Sequence, residues 1–340
     1  MVKATFMLST VGVPLHDIGT QNLFYSDAVS NILQSTSATP DAVAVICDGQ
    51  ELTWAHLESN ARKVAHALSA WGLNTGDRWA FLSHNRIEWT ELFLGNTLAG
   101  TRYVPLNWHL TAPELEYLLV NSGATALVVD PEHAAIGTEA ATRAGIDLDR
   151  IIVLGAQYEA WRDSQPDTGH PNTIAGSALT YTGGTTGASK GVTRPDSGAP
   201  ISSWSTGVST WGSYVGMPES GVALITTPLY HAFGAGVLGA ALARRHTIVL
   251  RQRFDVDEFL DSVQKYHVTS APLVPTLIIR LAKLDDHHFT SRDLSSLQWI
   301  AHTAAPCPGW AKQRLIDMLG PIVVEFYGSS EGTGPVVCTS

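Results

Sequence analysis

Leu179-Thr-Tyr-Thr-Gly-Gly-Thr-Thr-Gly-Ala-Ser-Lys-Gly-Val192 is the stretch on which the reading of this chain turns. Residues 178–181 are strand-like, and a glycine-rich loop follows them directly. Glycines let a backbone turn sharply and come close to a ligand. Consecutive N–H groups in such a loop form a nest for an anion. Thr182, Thr185, Thr186 and Ser189 add hydroxyl donors, and Lys190 adds a mobile positive charge suited to phosphate. The order is not that of a Walker A loop, because Lys190 is followed by Gly191 rather than by Ser or Thr. It is not G-x-G-x-x-G either, which disfavours a dinucleotide fold. A plain surface loop of Gly, Thr and Ser is the alternative that composition alone allows.

Outward from this loop, the 340 residues suit one large α/β domain or two ordinary ones, and a hydrophobic content of 44% supplies a packed core. The formal net charge is -10, and no Lys/Arg cluster goes beyond pairs such as Arg244-Arg245, which argues against a general nucleic-acid binder. Cys47, Cys307 and Cys338 are scattered without metal-like spacing, as fits a reducing compartment. The longest apolar run, Phe233 to Ala243, is about half of the roughly 20 residues a membrane-spanning helix needs. The N-terminus does not read as a signal peptide, so a cytoplasmic location is expected.

Helical patterns alternate with short apolar runs. Leu57, Ala61, Val64 and Leu68 recur at helical spacing between Thr53 and Trp71. Arg78 to Ser83 reads as a strand, Glu88 to Leu98 as a helix, and Tyr103 to Leu106 as a strand. Thr111-Ala-Pro-Glu114 is a capping box that opens a helix. Strands follow at 126–129 and 151–154, with a helix between them, and a loop runs from Asp163 to Gly176. In the second half, strands are expected at 222–226, 247–250, 269–271, 297–301 and 322–325. Asp255-Val-Asp-Glu258 opens the helix that runs to about Tyr266. This alternation predicts an α/β fold of two consecutive β/α lobes with largely parallel sheets, residues 1–165 and 166–340.

With these blocks in place, the chain resembles the adenylate-forming acyl-CoA synthetases from about residue 24 to its end. Thr182 to Gly191 is similar to the family's T-S-G-T-T-G-x-P-K-G signature, with Gly183 in place of a hydroxyl residue and Ser189 in place of the proline. Thr226-Thr-Pro-Leu-Tyr-His-Ala-Phe233 resembles its P-L-x-H segment, Pro272-Leu-Val-Pro-Thr-Leu277 its V-P-T segment, and His302-Thr-Ala-Ala-Pro-Cys-Pro308 its G-G-A-P-L-P turn. Glu325-Phe-Tyr-Gly-Ser-Ser-Glu331 resembles the Y-G-x-T-E block. Leu52-Thr-Trp-Ala-His-Leu57, Gly76 to Phe81 and Tyr103-Val-Pro-Leu-Asn107 resemble the family's opening.

The resemblance implies that ATP is held by Thr182, Gly183, Gly184, Thr185, Thr186, Gly187 and Lys190. It puts Ala304 and Ala305 beside adenine or the acyl group, and Tyr327 and Gly328 at the adenine. It gives Ser330 to the α-phosphate and Glu331 to Mg²⁺. His231 would lie at the acyl-adenylate pocket and orient the carboxylate. A lone histidine there also reads as a core residue with satisfied hydrogen bonds.

The implied reaction joins a carboxylic acid to AMP and then to coenzyme A. His231 and Lys190 are its candidate catalytic residues. Members of the family continue past the point matching Ser340 with a ribose-binding T-G-D block, a hinge and a small domain bearing a catalytic lysine. The expectation is therefore a truncated chain of impaired activity.

Phe233 is followed by Gly234, where amino-acid-activating members usually place an aspartate, so an amino-acid substrate is disfavoured. A fatty acid is the first choice and an aryl or alicyclic acid the second. Gly234, Gly236, Gly239 and several alanines leave room for the chain or serve close helix packing, and Trp204, Trp211 and Tyr214 line the pocket or belong to the core. A homo-oligomer stays open. The rival readings are a non-catalytic nucleotide-binding module and a plain NTPase.

Overall fold

The computed structural model describes residues 39–182, 189–192, 199–329 and 336–340. β1 (Val43–Cys47) and β2 (Gln50–Thr53) form an antiparallel hairpin. Thr53 caps α1 (Trp54–Ala70) by accepting the His56 backbone N–H at 3.3 Å. Leu57, Ala61, Val64 and Leu68 form the buried face of α1, at the spacing read from sequence.

β3 (Arg78–Leu82), α2 (Glu88–Ala99), β4 (Arg102–Leu106), α3 (Ala112–Ser122), β5 (Leu127–Val129), α4 (Ala134–Arg143) and β6 (Ile151–Val153) then alternate. α3 begins at the expected box, where the Thr111 N–H donates to the Glu114 carboxylate at 2.8 Å. Hydrogen bonds from Thr111 hold the Glu114 carboxyl below its ordinary range.

After α5 (Ala156–Asp163), the strand expected at 178–181 divides. β7 (Ser177–Ala178) pairs with β4, and the Leu179 N–H still donates to the Tyr103 carbonyl at 2.9 Å. The chain then leaves that sheet as β8 (Thr180–Thr182) and pairs with β9 (Lys190–Val192) in a separate antiparallel ribbon. α6 (Ile201–Tyr214), β10 (Val222–Ile225), α7 (Ala232–Ala243), β11 (Thr247–Leu250) and α8 (Val256–Tyr266) follow. Next come β12 (Ser270–Leu273), α9 (Pro275–Ala282), α10 (Asp286–Thr290) and β13 (Trp299–His302). The described chain closes with α11 (Gly309–Leu319), β14 (Val323–Tyr327) and β15 (Val336–Thr339).

The five-stranded sheet has the order β6-β5-β3-β4-β7 and is parallel throughout. The eight-stranded sheet has the order β15-β14-β13-β12-β10-β11-β1-β2, antiparallel only at the two edge pairs. The two sheets exchange strands across residue 165. β1 pairs in parallel with β11, Val45 opposite Ile248, while β7 joins the sheet of the first half.

Three apolar clusters stack with the sheets. The central one fills the space between them and includes Leu57, Leu92, Val237, Phe81 and Ile225. A second packs α8, α9 and α11 on the outer face of the large sheet, and a third packs α3 and α4 on the outer face of the small one. Near-continuous burial along β3, β4 and β12 is what parallel strands covered on both faces require. Among the described residues, no helix is long and apolar enough to cross a membrane.

Candidate active site

The β8–β9 ribbon carries the two described ends of the glycine-rich loop and sets Thr182 opposite Lys190. Thr182 is half-buried and Lys190 is exposed. Two tyrosines dock the ribbon on α3. The Tyr181 hydroxyl donates to Asn121 Oδ1 at 2.6 Å, and the Tyr117 hydroxyl donates to the Ser189 carbonyl at 3.3 Å. Burial pushes the Tyr181 phenol up to about 12, so it remains a donor at neutral pH. Ser189, which stands where proline was expected, is thus tied down through its carbonyl. Gly183, Gly184, Thr185, Thr186 and Gly187 lie outside the described residues, as do Ser330 and Glu331.

A cavity of about 250 Å³ opens beside the ribbon. Thr180 and Val192, from its two strands, form part of the wall. Phe93, Tyr103 and Trp204 supply aromatic walls, with Phe93 edge-on to both of the others at 6.0 and 6.1 Å between centroids. α7 supplies the opposite side through Gly236 and Gly239. A Cβ on Gly239 would lie 3.3 Å from Phe93 Cζ, so the phenyl tip abuts the helix backbone there.

Of the aromatics singled out from sequence, Trp204 lines the cavity. Trp211 stands behind Gly236, 3.5 Å from where its Cβ would be. Tyr214 is 59% exposed and takes no part in the wall. Phe93, Tyr103, Asn96 and Gly176 went unforeseen because no local pattern marks them. They meet only through the packing of α2, β4 and the segment that leads into β7.

His231 is the residue immediately before α7, on the cavity wall, and its side chain makes no capping hydrogen bond. Its ring is open to the cavity, while the protein packed around it draws the imidazole below its ordinary value. It is therefore a neutral lone-pair bearer near pH 7. The loop that presents it is clamped by Asn85, which is buried between the two sheets. Asn85 Nδ2 donates to the Thr227 carbonyl at 3.0 Å and to the Arg251 carbonyl at 3.1 Å, and its Oδ1 accepts the Leu229 N–H at 2.9 Å.

Ala304, Ala305, Tyr327 and Gly328 gather at the carboxyl edge of the large sheet. His302 pairs with Glu325 across β13 and β14, and Ala304 and Tyr327 follow two residues later on each side. Tyr327 is 79% exposed, a free aromatic face at this edge. Phe326, next to it, packs edge-on against Phe233 and Trp211 at 5.3 and 6.1 Å between centroids. The aromatic edge thus adjoins the helix that walls the cavity, although these four residues are not cavity lining.

A family model described as AMP-binding enzyme matches residues 33–340. A feruloyl-CoA synthase of Amycolatopsis sp is 32% identical over 308 residues, covering 88% of this chain and 58% of that protein. The fatty acid–[acyl-carrier-protein] ligase ScoC of Streptomyces coeruleorubidus is 28% identical over 321 residues, covering 91% of this chain and 60% of its own length. The crystal structure of ATP-bound MatB from Rhodopseudomonas palustris superposes with a TM-score of 0.77 at 24% identity, over 92% of this chain and 62% of that one. The chain therefore spans 58–60% of the length of these two curated relatives.

Proposed function

This chain belongs to the AMP-binding enzyme family, and on that premise we propose that it activates a compact carboxylic acid with ATP. The acid's carboxylate attacks the α-phosphate, giving an acyl-adenylate and releasing pyrophosphate. The thiol of coenzyme A then displaces AMP to give the thioester. The observation that carries this reading is the shared wall. The ribbon that bears Lys190 also supplies Thr180 and Val192 to the cavity beside His231. A carboxylate at that wall stands next to the loop suited to phosphate.

Bringing carboxylate and triphosphate together means overcoming anion repulsion. The Lys190 ammonium and the N–H groups of the loop offset it, and fixed positioning supplies much of the remaining rate. Mg²⁺ accompanies ATP in this proposal and neutralises further phosphate charge, with Glu331 as the carboxylate assigned to it by resemblance. His231, neutral and facing the cavity, orients the carboxylate.

The cavity favours an aryl acid over a long fatty acid. Its aromatic walls offer edge and face contacts to a ring, and the Phe93 tip abuts the α7 backbone at Gly239, which narrows the cavity. The feruloyl-CoA synthase relative is consistent with this choice. An amino-acid substrate is disfavoured because Gly234 leaves no carboxylate there to grip its ammonium group. A Cβ on Gly234 would lie 2.9 Å from the Pro228 carbonyl oxygen, so no carboxylate side chain fits there.

The test is calorimetric titration with MgATP, alongside pyrophosphate release in the presence of ferulate, benzoate and palmitate. Lys190→Ala is expected to weaken MgATP binding at least tenfold, the order of a lost charge-assisted contact of about 1.5–3 kcal/mol. Pyrophosphate release is expected to be greatest with ferulate or benzoate. Equal binding by a folded Lys190→Ala variant would overturn the loop assignment. Tight ATP binding without release for any acid would make the chain a nucleotide-binding module.

A further inference from the structure

We propose that His84, Asp130, Glu132 and His133 form a binding site for a zinc-type divalent transition metal at the carboxyl edge of the five-stranded sheet. This site is separate from the cavity and the ribbon. His84 follows β3, and Asp130 follows the neighbouring strand β5. Glu132 and His133 lie in the short 3-10 turn Pro131–His133 that comes next. β3 leads to β4 on one side, and the chain then crosses to β5 on the other. The crevice outside such a reversal of strand order is where parallel sheets place ligands.

The spacing fits coordination. One ligand atom from each of His84, Asp130 and His133 lies within 4.8 Å of the others. His84 Nδ1 is 3.3 Å from Asp130 Oδ2 and 3.3 Å from Glu132 Oε2. Two ligands bound at about 2.0 Å to a tetrahedral zinc ion are about 3.3 Å apart. His133 Nδ1 is 2.7 Å from Asp130 Oδ1, so it carries a proton there that a metal would displace.

Asp130 also accepts the backbone N–H groups of His84 and His133, each at 2.9 Å, which fixes its orientation as an outer shell does for a metal-bound carboxylate. Capping explains those two bonds. It does not explain why two imidazoles converge on the same carboxylate, or why the Glu132 carboxylate also stands against His84 Nδ1. His84 Nδ1 offers at most one proton to two carboxylates, whereas a divalent cation balances both with neutral imidazoles as partners. Two nitrogens and two oxygens select zinc over magnesium. With the exposed Glu132 carboxylate swung in from its place beside His84 Nδ1, four protein ligands would make a closed, structural site that ties the loops after β3 and β5 together. His84 and Asp130 are buried, Trp108 packs on the His84 ring at 4.3 Å, and the half-exposed Glu132 stands on the solvent side.

The experiment titrates the purified chain with Co²⁺ followed by visible absorption, then displaces it with Zn²⁺ and measures retained zinc after dialysis. One equivalent with a tetrahedral cobalt spectrum is expected. His133→Gln should lose at least tenfold in affinity, and the exposed His287→Gln should lose none. Zinc should raise the melting temperature of the wild type and not that of His133→Gln. His84→Gln is expected to behave likewise, but His84 is buried, so His133→Gln and Glu132→Gln, checked by circular dichroism, carry the decision. No metal uptake by the folded wild type, or undiminished uptake by His133→Gln, overturns the site. Neither result bears on pyrophosphate release, so the proposed activity stands or falls separately.

Discussion

Ala304 has φ +77°, in the left-handed region that a side chain disfavours. It sits where β13 gives way to the turn before α11, at the second glycine position of the G-G-A-P-L-P block. Ala304→Gly is expected to raise the unfolding free energy by about 0.5–1 kcal/mol, the strain relieved less the entropy that glycine loses on folding. The urea midpoint reads this directly, and an unchanged or lower midpoint would refute it. The family block was legible at this position from sequence. The sign of the conformational effect was not, because φ depends on where the following helix has to begin.

At the scale of elements, the loop between β10 and α7 and the helix itself set the site. Asn85 bonds two carbonyls and one N–H from segments more than a hundred residues away. Asn85→Ala leaves those buried backbone groups without partners and is expected to cost about 3 kcal/mol of stability. The same change frees the loop that presents His231, so pyrophosphate release should fall more than MgATP binding does. Equal losses in both would show that Asn85 serves only the core.

α7 makes a different prediction. The Cβ at Gly236 has room beside Trp211, but a branched side chain would fill the cavity. Gly236→Val is expected to lower kcat/KM for a ring-bearing acid roughly tenfold or more, since misfit of one or two methyl groups counts about 1–3 kcal/mol in a tight pocket. Affinity for MgATP should be unchanged. An undiminished rate with the aryl acid would place the acyl group elsewhere. The sequence had marked these glycines only as room for a chain or as close helix packing.

The molecule as a whole carries an acid sensitivity in histidines that the surrounding protein desolvates, His246 the most deeply buried of those with a value near 4. Burial draws His246 down to about 4 and His170 to about 4, and lowers His84, His231 and His302 as well. Each has a folded value below its unfolded value near 6.5, so the unfolded chain binds more protons between the two. Their stabilisation is complete above about pH 6.5 and is lost as the pH falls towards 4. His246 is fully buried, its Nε2–H donating to the Pro218 carbonyl at 3.0 Å, and it alone accounts for about 2 kcal/mol of loss at pH 5. The melting temperature should therefore be clearly lower at pH 5 than at pH 7, and His246→Gln should flatten that difference. A melting temperature independent of pH over this window would contradict the burial of these groups as neutral species.

By itself the sequence determined what acts over a few residues. The spacing of Leu57, Ala61, Val64 and Leu68 made α1 and the Thr111 box started α3, while the order of Gly, Thr, Ser and Lys around residues 182–191 is the basis of the proposed phosphate loop. These are local effects of helical period, capping and backbone freedom, and they were legible for that reason. Only the tertiary structure decided which strands share a sheet. β1 lies opposite β11, Val45 against Ile248, because a buried strand needs a hydrogen-bonding partner for the N–H and C=O groups along each edge. The tertiary structure also made the cavity, whose walls come from residues 93 to 239, and the clamp of Asn85 on the His231 loop. It drew His84 and Asp130 together at one sheet edge as well. None of these leaves a periodic trace in the chain, since each depends on packing between segments whose separation in sequence carries no information about their distance in space.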